Sequence, residues 1–572
     1  MSCSEDLLVE RPPNFTTADA LYTSVEGFDA GLNGLYSLAR QERDGIKYTG
    51  GFGQIDLRAA IFLAGTDNIA HGSTGGLTSI LADWSKSTSA DPNIDFMFLW
   101  LYKVVSASNT IITRAENPDV DWGAGDDKER VLAEARTIRA WAYRHLTYLW
   151  GDVPLILEEI TGENIITNVT REKIATVRAA IIEDLEFAEQ YLPWLPDKAG
   201  RLTRGVAQTY LAEMYLAIGD PATSLIWSNK CINEGPYSLI TSRYGAGASK
   251  PGSPFMDMFN PDNTNISAGN TEALWVMQWE QGSSAGGINL MRHESTMRYE
   301  TVSYSGVKGF LTSTDERGGR GWSRQTILKD ALLLYYALSD FSLGKIDQRG
   351  NDTAIRKYFI VSDSDNFSGV KNTATNQNWK VGDTVWLATP VSKKKVPDPG
   401  KRSLSGAYNF NLLPEDQDNE NDWPYSLKFA HNDPGFPRTT ESHIDQIYMR
   451  LAETILLRAE AKGRTGDLTG AASDINMLRD RANAKRVSAA DFGGDMTTFL
   501  DYILDERSRE LILEEQRRYT LLRMGGEKFF YRRVNNFNKI TENLQMRDTL
   551  FPIPQSVIDA NLSSVMPQNP GF

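Results

Sequence analysis

Gly282-Ser283-Ser284-Ala285-Gly286 has the G-x-S-x-G spacing that presents a nucleophilic serine on a tight turn, and the apolar run EALWVMQW (272–279) precedes it. The signal is weak. With 46 glycines chance matches are common, no HGGG-type segment comes before the motif, and no clear helix follows it. A flexible loop is the favoured reading, with a serine hydrolase as the catalytic alternative. The five histidines, His71, His145, His293, His431 and His443, include no pair at the helical spacing of a zinc site, and neither cysteine accompanies them. His145 lies beside the apolar stripe of a helix, where a packed or partly exposed residue is expected. The acidic run EDQDNEND (415–422) begins like a calcium loop, but it lacks the turn glycine and has Leu427 where a bidentate glutamate belongs, so it reads as a solvated loop, with adventitious calcium as the second reading. Glu510, Glu514 and Arg518 recur at four-residue steps, which suggests a charged helix face, and the adjacent Glu514 and Glu515 point in different directions. Carboxylates are too plentiful to single out a glycosidase pair. No catalytic residue, metal or cofactor is expected from these patterns.

The aromatic residues carry more information. Six of the 13 tryptophans, Trp275, Trp279, Trp322, Trp379, Trp386 and Trp423, fall in a Gly-, Asn-, Asp- and Ser-rich stretch, and Trp84 sits in the polar segment LADWSKSTSADPN (81–93). Indole faces in such loops can stack on the apolar C–H face of a pyranose, while Asp, Asn and Arg bond its hydroxyls. Most of these tryptophans are expected to pin loops, with one to three left for a ligand.

The elements that must position them divide by texture. The 572 residues correspond to three or four units at roughly 150 residues each. With 41% hydrophobic, 23% charged and 10% aromatic residues the composition is that of a globular protein. Sixty basic against 74 acidic side chains give a net charge of −14, which opposes nucleic-acid binding, and the longest basic run is only Lys393 to Lys395. No apolar run reaches the ~20 residues of a membrane helix; the best, Asp95 to Val105, contains Lys103. Thr17 to about Glu234 and His443 to Phe530 have helical periodicity, as in Val131, Ala135, Ile138, Ala142, Leu146 and Leu149. Between them, EALWVMQW (272–279) and RKYFIV (356–361) read as short strands. Three helices are expected to end at Gly151-Asp152, Gly219-Asp220 and Gly466-Asp467, and AEMYLAIGD (212–220) matches AEAKGRTGD (459–467). That pair predicts tetratricopeptide-like hairpins, so the expected fold is mainly α, a helical hairpin scaffold carrying a loop-rich insert with short strands. Cys231, in WSNKCI, is read as a buried helix residue, and a disulfide to Cys3 is unsupported. Met1-Ser2-Cys3 has no charged-then-apolar leader before it, so the chain is either cytosolic or its leader has been removed; Cys3, followed by Ser4-Glu5-Asp6, could carry the acyl chains of a lipoprotein.

Five segments together resemble the SusD/RagB family of surface nutrient-binding lipoproteins of Bacteroidota: CSEDLLVERPP (3–13) with GLNGLYSLA (31–39), AEARTIRAWAYRHLTYLWGDVPLI (133–156), RLAETILLRAEAK (450–462), ERSRELILEEQRRYTLLRMG (506–525) and LFPIPQSVIDANLSSVMPQNPGF (550–572). The insert matches only loosely, apart from the D-x-R step Asp347–Arg349. The resemblance implies an N-terminal tether (1–16) acylated at Cys3, a helical scaffold in two parts (17–240 and 441–572), an insert carrying specificity (241–440), and a proline-stiffened extended tail lying on the helices. It also implies oligosaccharide capture at the outer membrane and cell surface, no catalysis, and a SusC-like TonB-dependent transporter as partner. A RagB-like peptide importer is the alternative within this class; a helical glycoside hydrolase, a serine hydrolase or a cytosolic helical-repeat scaffold for peptides lies outside it. Family members tend to bind glycans with a loop after the first helices and with aromatics of the insert. Chemistry and loop context then nominate Asp67 and Asn68 for hydrogen bonds, Trp84 as a platform, and Tyr304, Arg320 and Trp322 from the segment 299–324.

Overall fold

The computed structural model describes residues 17–47, 55–71, 80, 84–125, 127–283, 285–297, 303–314, 317–319, 321, 325–335, 338, 347–372, 375–387, 424–433, 435, 442–537, 544–562 and 564–572. Its long helices are α1 (Val25–Arg40), α2 (Pro92–Ala115), α3 (Asp127–Trp150), α4 (Ile174–Tyr191), α5 (Arg204–Ala217), α6 (Pro221–Asn233), α7 (Leu451–Arg464), α8 (Leu468–Arg481), α9 (Met496–Leu511) and α10 (Arg517–Phe537, kinked at Gly526). Helix α2 starts where Asp91 caps the backbone N–H groups of Asn93 and Ile94 and Pro92 takes the first turn. It runs well past the Asp95–Val105 segment, and by length and composition alone it could cross a membrane. Its Ile94, Met97, Leu101, Val104 and Val105 are buried in the main core, as expected of the central helix of a globular scaffold.

Helix α3 is buried almost all round rather than along one stripe, because α1, α2 and α4 surround it. Its polar side chains are therefore paired: Arg139 grips both oxygens of Asp184 at 2.8 and 2.7 Å, and Arg144 Nε lies 2.9 Å from Glu213. His145 is fully buried, with Nδ1 2.7 Å from the Tyr519 hydroxyl, and burial lowers its pKa well below the ordinary histidine value. It is a core residue.

The Gly-Asp pairs explain the hairpins. Gly219 and Gly466 take φ of +85° and +91°, the left-handed exit that glycine alone adopts without a Cβ clash. The aspartate that follows caps the next helix, Asp220 accepting from Thr223 N at 3.0 Å and Asp467 from Gly470 N at 2.7 Å. Gly151 exits likewise at +75°, yet Asp152 caps across a long loop, accepting from Ile174 N at 2.9 Å. Thus α3–α4, α5–α6 and α7–α8 are three hairpins, the first with a loop inserted. Helices α5 and α7 meet at Thr209 and Thr454, whose hydroxyls are 2.7 Å apart beside buried Cys231, whose thiol burial pushes up to about 11. Cys3 lies outside the described residues.

The insert contributes short two-stranded ladders. Those used below are β1 (Ile69–His71), β2 (Ala273–Met277), β3 (Gln325–Ile327) and β4 (Gln446–Arg450). Antiparallel pairing of β2 with β4 brings the insert against the strand that leads directly into α7. A satellite core forms around Met297, Phe310, Phe359 and Trp379.

Buried charge joins insert to scaffold. Arg349 grips Asp347 at 2.9 and 2.7 Å and reaches Glu506 (2.8 Å) and Glu510 (3.1 Å) on α9. Glu510 also accepts from Arg450 at 2.6 Å and from Arg481, while Arg481 donates to Glu272 at 2.7 Å. The expected charged helix face is therefore corrected. Helix α9 ends at Leu511, Leu513 turns back with a φ of +65°, and Glu510, Glu514 and Arg518 are all interior.

The segment after Leu550 is bonded to the end of α3, through Phe551 N to Leu149 O (2.7 Å), Trp150 Nε1 to Pro552 O (3.0 Å) and Asn569 Nδ2 to Trp150 O (3.0 Å). The tail is not extended throughout: Gln555–Ala560 forms a short helix, because Pro554 stands at its N-cap, where a missing N–H costs nothing.

Candidate functional site

The ribbon β1–β3 sets the geometry. Ile69 pairs with Ile327, Ala70 with Thr326 and His71 with Gln325, in antiparallel register. The chain leaving His71 and the chain arriving at Gln325 therefore share one end of the ribbon. The loop that follows the early helices and the insert segment 299–324 have a common root, although more than two hundred positions separate them in sequence.

The opposite end of the ribbon is held by Asp67 and Asn68, and here two expectations are corrected. Asp67 is 3% exposed, and its carboxylate accepts from Arg517 at 2.8 and 2.7 Å and from Arg533 at 2.8 Å. Burial alone would raise its pKa, but the two guanidiniums outweigh it and hold the carboxyl well below the usual range. Asn68 is equally buried; its Oδ1 accepts from Ser508 Oγ at 2.7 Å and its backbone carbonyl from Leu328 N at 2.8 Å. Both side chains are committed to anchoring the ribbon, so neither is available to a sugar hydroxyl.

Trp84 is corrected for a related reason. It is fully buried, with the Arg518 guanidinium 4.8 Å from its ring; Phe530 and Phe551 lie 5.1 and 4.7 Å from the same cation. Burial, only partly offset by Asp548, pushes Arg518 down to about 10. The neighbours of Trp84 in sequence are polar, but the C-terminal segments cover it. It is a core wall and offers no stacking face.

Tyr304 belongs to a hairpin in which Ser303–Tyr304 pairs with Val307–Lys308. Ser305 and Gly306 take φ of +51° and +82°, the two left-handed residues of a tight hairpin turn. Ser305 Oγ accepts from Trp379 Nε1 at 3.0 Å, which fastens the hairpin tip to the satellite core. Arg320 and Trp322 lie outside the described residues. Gly321, between them, is pressed against the chain: a Cβ there would come within 2.4 Å of the carbonyl oxygens of Thr296 and Met297. Trp275 and Trp279 are buried pins, donating to Gly200 O (3.1 Å) and Asp44 Oδ1 (3.0 Å). Ser284, the acidic run 415–422, Lys393 to Lys395 and Trp423 also lie outside the described residues. No group of three His, Cys, Asp or Glu among the described residues is placed to hold a metal ion.

Two clefts open near these elements. One, of about 320 Å³, is bounded by Tyr36, Trp275 and Trp279, but Arg40 covers Trp279 and donates to Gln278 O at 3.0 Å, which leaves little aromatic face. The other, of about 370 Å³, lies in the insert, and one wall is Arg317–Gly318, two residues before Arg320. Its cations come from segments scattered over more than a hundred positions, so no spacing in the sequence points to them.

Comparison with known proteins adds a second line. Residues 271–572 match the model of the SusD family, and residues 64–216 match one described as starch-binding, associating with outer membrane. A SusD-like protein of Formosa agariphila is 24% identical over 537 residues, covering 92% of this chain and 87% of that one. The solved structure of a SusD homolog from Bacteroides thetaiotaomicron superposes with a TM-score of 0.71 at 17% identity, covering 97% of this chain and 98% of that one. A laminarin-binding SusD-like protein has a TM-score of 0.65 at 18% identity, with 96% and 99% covered.

Proposed function

The chain belongs to the SusD family, and from that premise we propose that it binds an oligosaccharide at the outer-membrane surface and passes it, uncleaved, to a SusC-like TonB-dependent transporter. The observation that carries the reading is the shared root of β1 and β3, from which the loop after His71 and the segment before Gln325 emerge together. Tyr304, Arg320 and Trp322 of that segment are the contact residues of this proposal, with the aromatic rings stacking and the guanidinium bonding hydroxyls. The laminarin-binding structural relative supports a glycan as ligand, and the outer-membrane description of the family model supports the location.

Titration against a glycan panel tests the reading. Trp322→Ala and Tyr304→Ala are expected to weaken binding about tenfold each, roughly 1.4 kcal/mol, while leaving the denaturation midpoint within error. Released reducing ends, or wild-type affinity in both variants, would count against it. The tether is tested separately. Acylation at Cys3 would hold the protein to the membrane at about 0.8 kcal/mol per buried CH₂. Cys3→Ala, expressed with a leader in a strain lacking the transporter, is expected to move from the outer-membrane fraction to the soluble one; retention of the variant would remove the anchor assignment.

A further inference from the structure

We propose that the insert cleft of about 370 Å³ is a subsite for an anionic group, a carboxylate or a sulfate ester, carried on the captured saccharide. The inference rests on the glycan-binding reading and goes beyond it by naming the substrate class. Arg243, Lys250, Arg317 and Arg356 line this cleft, against the acidic Asp257 and Asp352. Such a gathering of cations stands out in a chain whose net charge is −14.

Two of the four cations are spent on structure. Arg243 donates to Asp257 at 2.6 Å and to the carbonyls of Lys250 and Gly247 at 2.9 Å, so it is the post around which the loop 243–252 is wound. Arg317 grips Asp365 with both terminal nitrogens at 2.6 Å and donates to Thr312 O and Ile360 O. Asp352, on the acidic side, is engaged by Lys357 at 3.1 Å. Lys250 and Arg356 form no ion pair with any described residue; Arg356 lies over the Phe359 ring at 5.5 Å and interacts with the Tyr425 hydroxyl, which hold it in place without cancelling its charge. They stand on separate segments around the same space, Lys250 on the wound loop and Arg356 on the short strand Ile355–Arg356.

The chemistry follows from this division. The paired charges cancel locally, so the field in the cleft is set by the ammonium and the guanidinium left over. A neutral hexose hydroxyl would accept hydrogen bonds from these cations without cancelling their charge. A carboxylate or sulfate ester brings the opposite charge to the same donors, so Coulomb attraction adds to the hydrogen bonds. The volume lies within the roughly 300–1,000 Å³ range of small-ligand sites. In sequence the wall at Arg317–Gly318 stands two residues before Arg320, one of the proposed contacts.

The test is calorimetric titration of the full chain with three probes of equal length: a galacturonate trisaccharide, a sulfated galactose trisaccharide and neutral laminaritriose. At least one acidic probe is expected to bind more tightly than the neutral one, and to lose affinity as ionic strength rises. Lys250→Ala and Arg356→Ala should each weaken the acidic probe about tenfold and leave the neutral one unchanged, and Lys250→Arg should restore most of the loss. The two acidic arms separate carboxylate from sulfate. Neutral binding equal to acidic binding, with both variants like wild type, overturns the anionic subsite and leaves glycan capture standing. Failure of all three probes, together with failure on the wider glycan panel, overturns both.

Discussion

Glu510→Ala is expected to lower the stability of the fold by about 3–5 kcal/mol, the usual cost of stranding a buried charge. The carboxylate has no solvent exposure and takes bonds from Arg450, Arg481 and Arg349, so its removal leaves three guanidiniums facing one another in the interior. Total stabilities are commonly about 5–15 kcal/mol, so the variant should unfold at a much lower urea concentration or fail to accumulate. Glu510→Gln keeps an acceptor in place and should fall between wild type and the alanine variant. The same group gives a pH dependence. Burial pushes its pKa up, but Arg481, Arg450 and Arg349 outweigh that and hold it far below the ordinary value. A depressed folded pKa stabilises in full above the unfolded value of about 4.3 and is lost as pH falls from there through the folded value. Acid denaturation monitored by fluorescence should therefore begin below about pH 4.3 in wild type, and Glu510→Gln should show a shallower acid limb. A wild-type urea midpoint in the alanine variant would contradict this account of the network.

Trp84→Ala is expected to cost about 3–5 kcal/mol, because it empties an indole-sized space and removes the ring beneath Arg518. Glycan affinity per folded molecule should not change, since the ring is fully buried. Normal stability with weakened binding would be the opposite result and would return Trp84 to the ligand. Equilibrium unfolding and titration on the same preparation separate the two outcomes.

The hairpins are legible in the sequence because Gly219-Asp220 and Gly466-Asp467 do two local jobs, one residue leaving a helix and the next capping its successor. Gly151-Asp152 is harder to read, since the helix that Asp152 caps begins after a long loop. Segment 506–518 misleads for a different reason. Alternating Glu and Arg at helical spacing looks the same whether water or distant counter-charges face it, and the partners here, Asp67, Arg349, Arg450 and Arg481, are remote in sequence. Asp67, Asn68 and Trp84 have polar neighbours along the chain, whereas their surroundings in space come from α9, α10 and the C-terminal segment. The pairing of β1 with β3, which joins segments more than two hundred positions apart, has no signal in local sequence spacing.

The bonds between Trp150 and the C-terminal segment have a consequence for the order in which the molecule can be finished. The indole donates to Pro552 O, 402 positions later, and the backbone carbonyl accepts from Asn569, 419 positions later. During synthesis the cluster around α3 is made early, but its last surface stays open until those residues arrive. Such distant closure is slow to form, and the waiting intermediate exposes apolar surface. The C-terminal segment is thus the last piece to close over Trp150, and a prematurely terminated chain would leave that indole without its Pro552 and Phe551 neighbours.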